Sequence, residues 1–390
     1  MGKTTASDTA ASSRQTPRKI SRTLRSNLIT FAIVIGFFII MEILIATGIL
    51  TYSLRGQLVP ICAYACMAIS LNLVVGISGE LSLGHAGFMS IGAFTGAIVS
   101  VALSDAISNE TVLLIVCMLI GGVFAGIFGF LIGIPVMRLH GDYLAIVTLA
   151  FGEIIKNILN NLYVGLDASG LHFSIVGTEQ LGMTNGQVLL SGPKGAVAVN
   201  KISTFVVGVA LVCLCLIVAL NLIHSRSGRA IMAVRDNRIA AEACGINSTK
   251  YRMMAFVVSA VLAGMAGALY GLNYSSFVPS KFDFNTSILI LVFVVLGGIG
   301  SIRGGIIAAA VLTVLPEALR FLSTYRMLIY SIVLIAAMLI TNSPQARNTL
   351  RNLRLRLKGS RGQRLATDAV KAHVADATNE ANAEEDGADE

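Results

Sequence analysis

Apolar runs long enough to cross a bilayer recur along this chain, and that recurrence limits its fold more than any single motif. A hydrocarbon core about 30 Å thick takes roughly 20 helical residues to span. Inside it every backbone polar group must be bonded within the protein. Ten runs can be read, at 27–50, 57–76, 81–103, 111–134, 143–165, 202–223, 253–274, 284–300, 304–322 and 327–341. The run at 143–165 is the least apolar, because it holds Glu153, Lys156 and three asparagines. The expected fold is all-α integral membrane, a polytopic helical bundle of about 8–10 spans. Only 13 % of the residues are charged, about half the share in a soluble domain. No polar body is left for a soluble enzyme with a small anchor.

The 29 Lys and Arg residues exceed the 21 Asp and Glu, for a net charge of +8. Basic chains often bind nucleic acid, so the location of the charge decides. With the N-terminus inside, 22 of the 29 basic residues fall on one side, in 1–26, 135–142, 224–252, 301–303 and the C-terminal tail. Positive charge gathers this way on the cytoplasmic face of membrane proteins. Both termini are expected in the cytoplasm, the 166–201 connection outside, and nucleic acid is not an expected partner. Three regions follow: a disordered basic tail 1–26, a transmembrane domain 27–341 with a loop at 224–252, and a tail 342–390. That last tail is basic and then acidic, which predicts disorder, and its basic part suits anionic membrane lipid. The six cysteines lack a His or acid at ligand spacing and read as small packing residues. No metal site and no cofactor is called for.

Polar chemistry inside apolar runs is costly and usually marks a pathway. The stretch 76–96 places Glu80, Ser82, Gly84 and His85 among glycines. Gly84, Gly92 and Gly96 suit close helix packing; Glu80, Ser82 and His85 suit a broken helix lining a path. In 138–156, Asp142 can cap a helix, and Thr148, Gly152 and Glu153 form a polar stripe suited equally to a pathway or a subunit contact. Glu153 and Lys156 can pair at i,i+3. In the loop, Ser227 can cap and Gly245 can end one amphipathic helix. Arg229, Arg235, Asp236, Ala240, Ala241 and Glu242 lie on it, a natural docking element for a soluble partner. Neither a phosphate-cradling Walker loop nor a nucleophile–base set is evident, since Gly2-Lys3-Thr4 matches only the tail of that motif. ATP hydrolysis on this chain is not expected.

The spacing Ala240-Ala241-x-x-x-Gly245 resembles the coupling motif of ABC importer permeases, with Ile239 where that motif has Glu. Gly228-Arg229-Ala230, Arg235-Asp236-Asn237 and Gly245-Ile246 resemble the permease of branched-chain amino acid importers, in the longer of its two types. The segments 79–96, 138–153 and Gly297-Gly298-Ile299-Gly300-Ser301 match the same family. Three stretches depart from it: Asp167-Ala168-Ser169-Gly170-Leu171, Gly305, and Ser343-Pro344-Gln345-Ala346-Arg347. The resemblance implies a second permease subunit, two ATP-binding-cassette subunits and an external solute-binding protein. It also implies a bacterial inner-membrane location and Leu, Ile or Val as substrate. Urea or nucleoside importers of the same superfamily are the alternative. A secondary active transporter would need a buried ion site and usually inverted repeats; Glu42, Glu80, Glu153 and Glu317 would be its candidates.

Overall fold

The computed structural model of the chain describes residues 22–48, 52–139, 141–167, 170–181, 186–197, 199–319 and 325–342. Helix α1 (Arg22–Ala46) already begins inside the expected tail. The rest of both tails, and His140, lie outside the described residues. The chain divides into two compact units, Met1–Val314 and Leu315–Glu390.

In the first unit, α2 (Tyr52–Asn72) runs into a π-helical turn, Leu73–Ser78. Residues 79–84 are not helical, and α3 (His85–Ala102) follows. The expected span 81–103 is therefore a break plus a helix. Next come α4 (Glu110–Val136), α5 (Asp142–Asn160), α6 (Phe205–His224), α7 (Arg226–Asp236), α8 (Arg238–Ala243), α9 (Ser248–Gly271) and α10 (Phe284–Gly297). Helix α11 (Ile302–Ala318) runs past the unit boundary, and the second unit contains α12 (Arg326–Asn342).

Eight helices among the described residues are long and apolar enough to cross a membrane. That lies within the expected 8–10, two fewer than the ten runs read. Helices α11 and α12 have 17 residues each, about 25 Å at 1.5 Å per residue. The heart of the first unit is α3, α4 and α9, which pack together through small residues. A Cβ on Gly92 would overlap the Gly264 carbonyl, and one on Gly267 would overlap that of Met89. Backbones this close exchange dispersion contacts without side chains between them.

The segment after α5 departs from an all-helical reading. Tyr163–Asp167 is strand β1, so the expected span 143–165 stops at Asn160. β1 pairs antiparallel with β2 (Gly170–Ser174), Tyr163 facing Ser174 and Asp167 facing Gly170. On its other side it pairs with β3 (Gln187–Ser191), giving the order β2-β1-β3. Val164 and Leu190 are fully buried across that second pairing. The sheet follows one end of α5, while Gly141, before its other end, lies beside α7 residues.

Candidate functional site

The α7 end of the bundle is organised around the break in the α2–α3 chain. Asn72 Oδ1 accepts from Gly300 N at 3.0 Å, which sets the π turn against the Gly297–Ser301 bend. Arg235 of α7 donates from Nη1 to Gly76 O at 3.0 Å. Its aliphatic stem covers Gly79, whose φ of +76° favours glycine and where a Cβ would strike Arg235 Cγ. Next in sequence, Glu80 forms an ion pair with Arg252 of α9. The same guanidinium donates to Met137 O at 3.1 Å and Leu139 O at 3.3 Å, just past α4. The side chains of Arg252 and Glu80 are only 7 % and 11 % exposed. Ion pairs this buried are held by geometry and extra hydrogen bonds rather than by attraction alone. Beside the pair is a cavity of about 280 Å3, lined by Ser78, Glu80, Leu81, Arg235, Arg238 and Arg252 among others.

Beyond Glu80 the break turns into the bundle. Leu83 N donates to Thr148 Oγ1 at 3.1 Å, and that hydroxyl donates to Ala145 O at 2.9 Å. Gly84 rests on the same turn of α5, because a Cβ there would overlap Thr148 O. Ala86 N donates to Ser287 Oγ of α10 at 3.2 Å. His85 is 1 % exposed, and its Nε2 lies 2.7 Å from Ser70 Oγ and 3.5 Å from Ser259 Oγ. Ser70 commits its proton to Met67 O and Ser259 commits its own to Ser70 O. His85 Nε2 is thus held against two serine hydroxyls, while Nδ1 has no partner among the described residues.

Among the described residues, five buried side-chain atoms have no partner within the chain: Asn72 Nδ2, Ser78 Oγ, Glu80 Oε2, Ser82 Oγ and His85 Nδ1. All five belong to the stretch 72–85. Ser78 and Glu80 also line the cavity, so the unpaired polar atoms gather where the break meets it.

The expected pathway residues thus divide. Glu80 lines the cavity. Ser82, His85 and Thr148 are buried within the chain. Glu153, paired with Lys156 and partly exposed, lines a second crevice that adjoins the break, with Leu83, Gly87, Asp283 and Ser287.

The expected single helix in the loop is two. Ser225, not Ser227, caps α7 by accepting from Gly228 N at 3.0 Å. Asn237 ends α7 and caps α8, accepting from Ala240 N at 3.0 Å. Gly245 has φ +80°. Ala240 is exposed but Ala241 is buried at 5 %, so the small pair does not present one outward face. The outward apolar residue is Ile239, 82 % exposed. Arg229 is exposed and donates to His224 O at 3.4 Å; Asp236 pairs with Arg235, and Glu242 with Arg238. Arg252, at the centre of the site, belongs to α9 rather than to the loop. Sequence reading missed it together with Asn72, Ser70, Ser259 and Ser287. The available signal was an arginine one turn inside an apolar helix, which needs a partner.

A family model described as the permease component of a branched-chain amino acid transport system matches residues 53–340. The high-affinity branched-chain amino acid transport system permease protein LivM of Escherichia coli (strain K12) is 36 % identical over 288 residues, 71 % of this chain and 66 % of LivM. The chain thus spans just under two thirds of that relative. LivH of Salmonella typhimurium, a permease protein of the same description, is 28 % identical over 283 residues, 71 % of this chain and 89 % of LivH. The ribose import permease protein RbsC of Escherichia coli (strain K12) is 30 % identical over 130 residues, 31 % of this chain and 40 % of RbsC. No solved structure matches the chain.

Proposed function

This chain belongs to the family of permease components of branched-chain amino acid transport systems, and from that membership we propose that it forms part of the translocation route of an ATP-binding-cassette importer. Its substrates are branched-chain amino acids, as the names of LivM and LivH suggest for those proteins. ATP is hydrolysed on two separate subunits, a second permease completes the route, and an external solute-binding protein delivers the substrate. Both termini and the α7–α8 element face the cytoplasm of a bacterial inner membrane, as the distribution of basic residues supports.

The observation that carries this reading is the α7–α8 element. Two short helices, each capped by a side chain and sharing Asn237 between them, stand between two long apolar helices and hold Ile239 82 % exposed. An exposed isoleucine on a rigid, polar-rimmed element is an anchor for a soluble partner. On the route itself we assign Glu80, Ser82, His85 and Thr148, where polar groups interrupt apolar helices, with Gly84 allowing α5 to approach. Glu153 contributes from the adjoining crevice, which Leu83 and Gly87 also line.

The test is co-expression with candidate ATP-binding subunits and a second permease, purification on a tag on this chain, and uptake in proteoliposomes. ATP-driven accumulation of labelled leucine with co-purified ATPase supports the reading. A chain that purifies alone and transports on an ion gradient overturns it, and accumulation of urea or a nucleoside but not leucine corrects the substrate.

A further inference from the structure

We propose that Arg235 is the positioning residue through which the α7–α8 element sets the conformation of the break between α2 and α3, working against an anchor made by Arg252 and Glu80. The inference rests on the permease reading above and concerns how that permease is driven.

The break is the part of the chain best suited to have a second conformation. All the unpartnered buried side-chain atoms among the described residues lie in it or at its two edges, Asn72 and His85. Polar side chains that the chain itself leaves unpaired, two of them on residues lining the cavity, can exchange partners without breaking bonds within the chain. Its first turn is π-helical, a geometry found frequently at functional sites. The α3–α4–α9 heart, closed glycine against backbone, offers no comparable freedom.

Two different arginines hold the two ends of the break, although the π turn also packs on α9. Glu80 is held by Arg252, whose remaining donors bond Met137 O and Leu139 O, so that end belongs to the α4–α9 frame. The Gly76–Gly79 end is held by Arg235. One nitrogen bonds Gly76 O, and the stem lies on Gly79. The Nε and Nη2 donors bond Asp236 Oδ1 at 3.0 and 2.9 Å, which orients the fork. Displacement of α7 therefore pulls on Gly76–Gly79 through the Arg235 bond, against the Glu80–Arg252 pair at the next residue and the packing of the π turn on α9. Strain applied there passes along Ser82 and Leu83 to Thr148 and His85, the residues assigned to the route.

The experiment uses the complete complex in proteoliposomes with its binding protein. In Arg235→Ala the ATP-binding subunits should still co-purify, leucine uptake should fall about tenfold, and ATP hydrolysis should cease to respond to loaded binding protein. Arg235→Lys keeps the stem and one donor and should recover most of the uptake. A conformational readout separates positioning from simple stability. In a cysteine-free background, the alkylation rate of Ser78→Cys should change when the complex is trapped with ATP and vanadate, and adding Arg235→Ala should abolish that change. Full uptake in Arg235→Ala overturns the proposal. So does loss of the ATP-binding subunits in proportion to uptake, or a nucleotide-dependent alkylation rate that survives the substitution. If the unsubstituted complex neither binds ATPases nor imports, the permease reading itself fails and the inference falls with it, a result told apart because it precedes any substitution.

Discussion

A single guanidinium, that of Arg252, closes the α7 end of the bundle by reaching Glu80 and two carbonyls beyond α4. Removing one partner of a buried pair leaves an uncompensated charge and costs about 3–5 kcal/mol, whereas removing both costs less. Arg252→Leu should therefore lower the thermal unfolding midpoint of the detergent-purified chain markedly. Arg252→Leu with Glu80→Leu should regain much of the loss, though not all, because Met137 O and Leu139 O stay unbonded. Additive losses in the double variant would show that the pair contributes no coupling. Glu80 was legible in the sequence as a costly acid among glycines. Its partner was not, because the two are joined across 172 positions and Arg252 reads from its neighbours as the basic flank of a span.

The α7–α8 element shows where sequence reading reaches and where it stops. Caps act within a few residues, so a capped helical element was legible in the loop, but the cap is Ser225 instead of the expected Ser227 and the division at Asn237 was missed. Local signals do not fix which face turns inward. Ala241 proves to be buried and Ile239 exposed because α8 lies against α9. Ile239→Glu should thus leave membrane insertion and the unfolding midpoint close to those of the parent, since an exposed side chain has no contacts to lose. It should release the ATP-binding subunits during purification, and wild-type recovery of those subunits would refute the docking face. A charge at buried Ala241 should instead destabilise the chain. The sheet β2-β1-β3 escaped the sequence for a related reason. Its strands are five residues each, too short for alternation to stand out beside apolar helices that also end in aromatic and β-branched residues.

At the scale of the whole chain, the apolar periodicity made a polytopic bundle legible, since bilayer thickness leaves few alternatives. Sidedness can be read with a residue the protein already has. Cys244 is exposed at the end of α8, whereas the other five cysteines are buried or partly buried in helices. An impermeant maleimide should leave Cys244 unmodified in intact cells and label it in inverted vesicles. Lys194→Cys, exposed beyond β3, should be labelled in intact cells; the opposite pattern would invert the topology. The glycine contacts that join α9 to α3 and α4 have a consequence in time. At about 5–20 residues per second of synthesis, the ribosome needs on the order of ten seconds to travel from the end of α4 to the far side of α9. Through that interval α3 and α4 wait in the membrane with their grooved faces turned to lipid. The newborn chain is then most open to mispairing, and the arrival of α9 closes those faces.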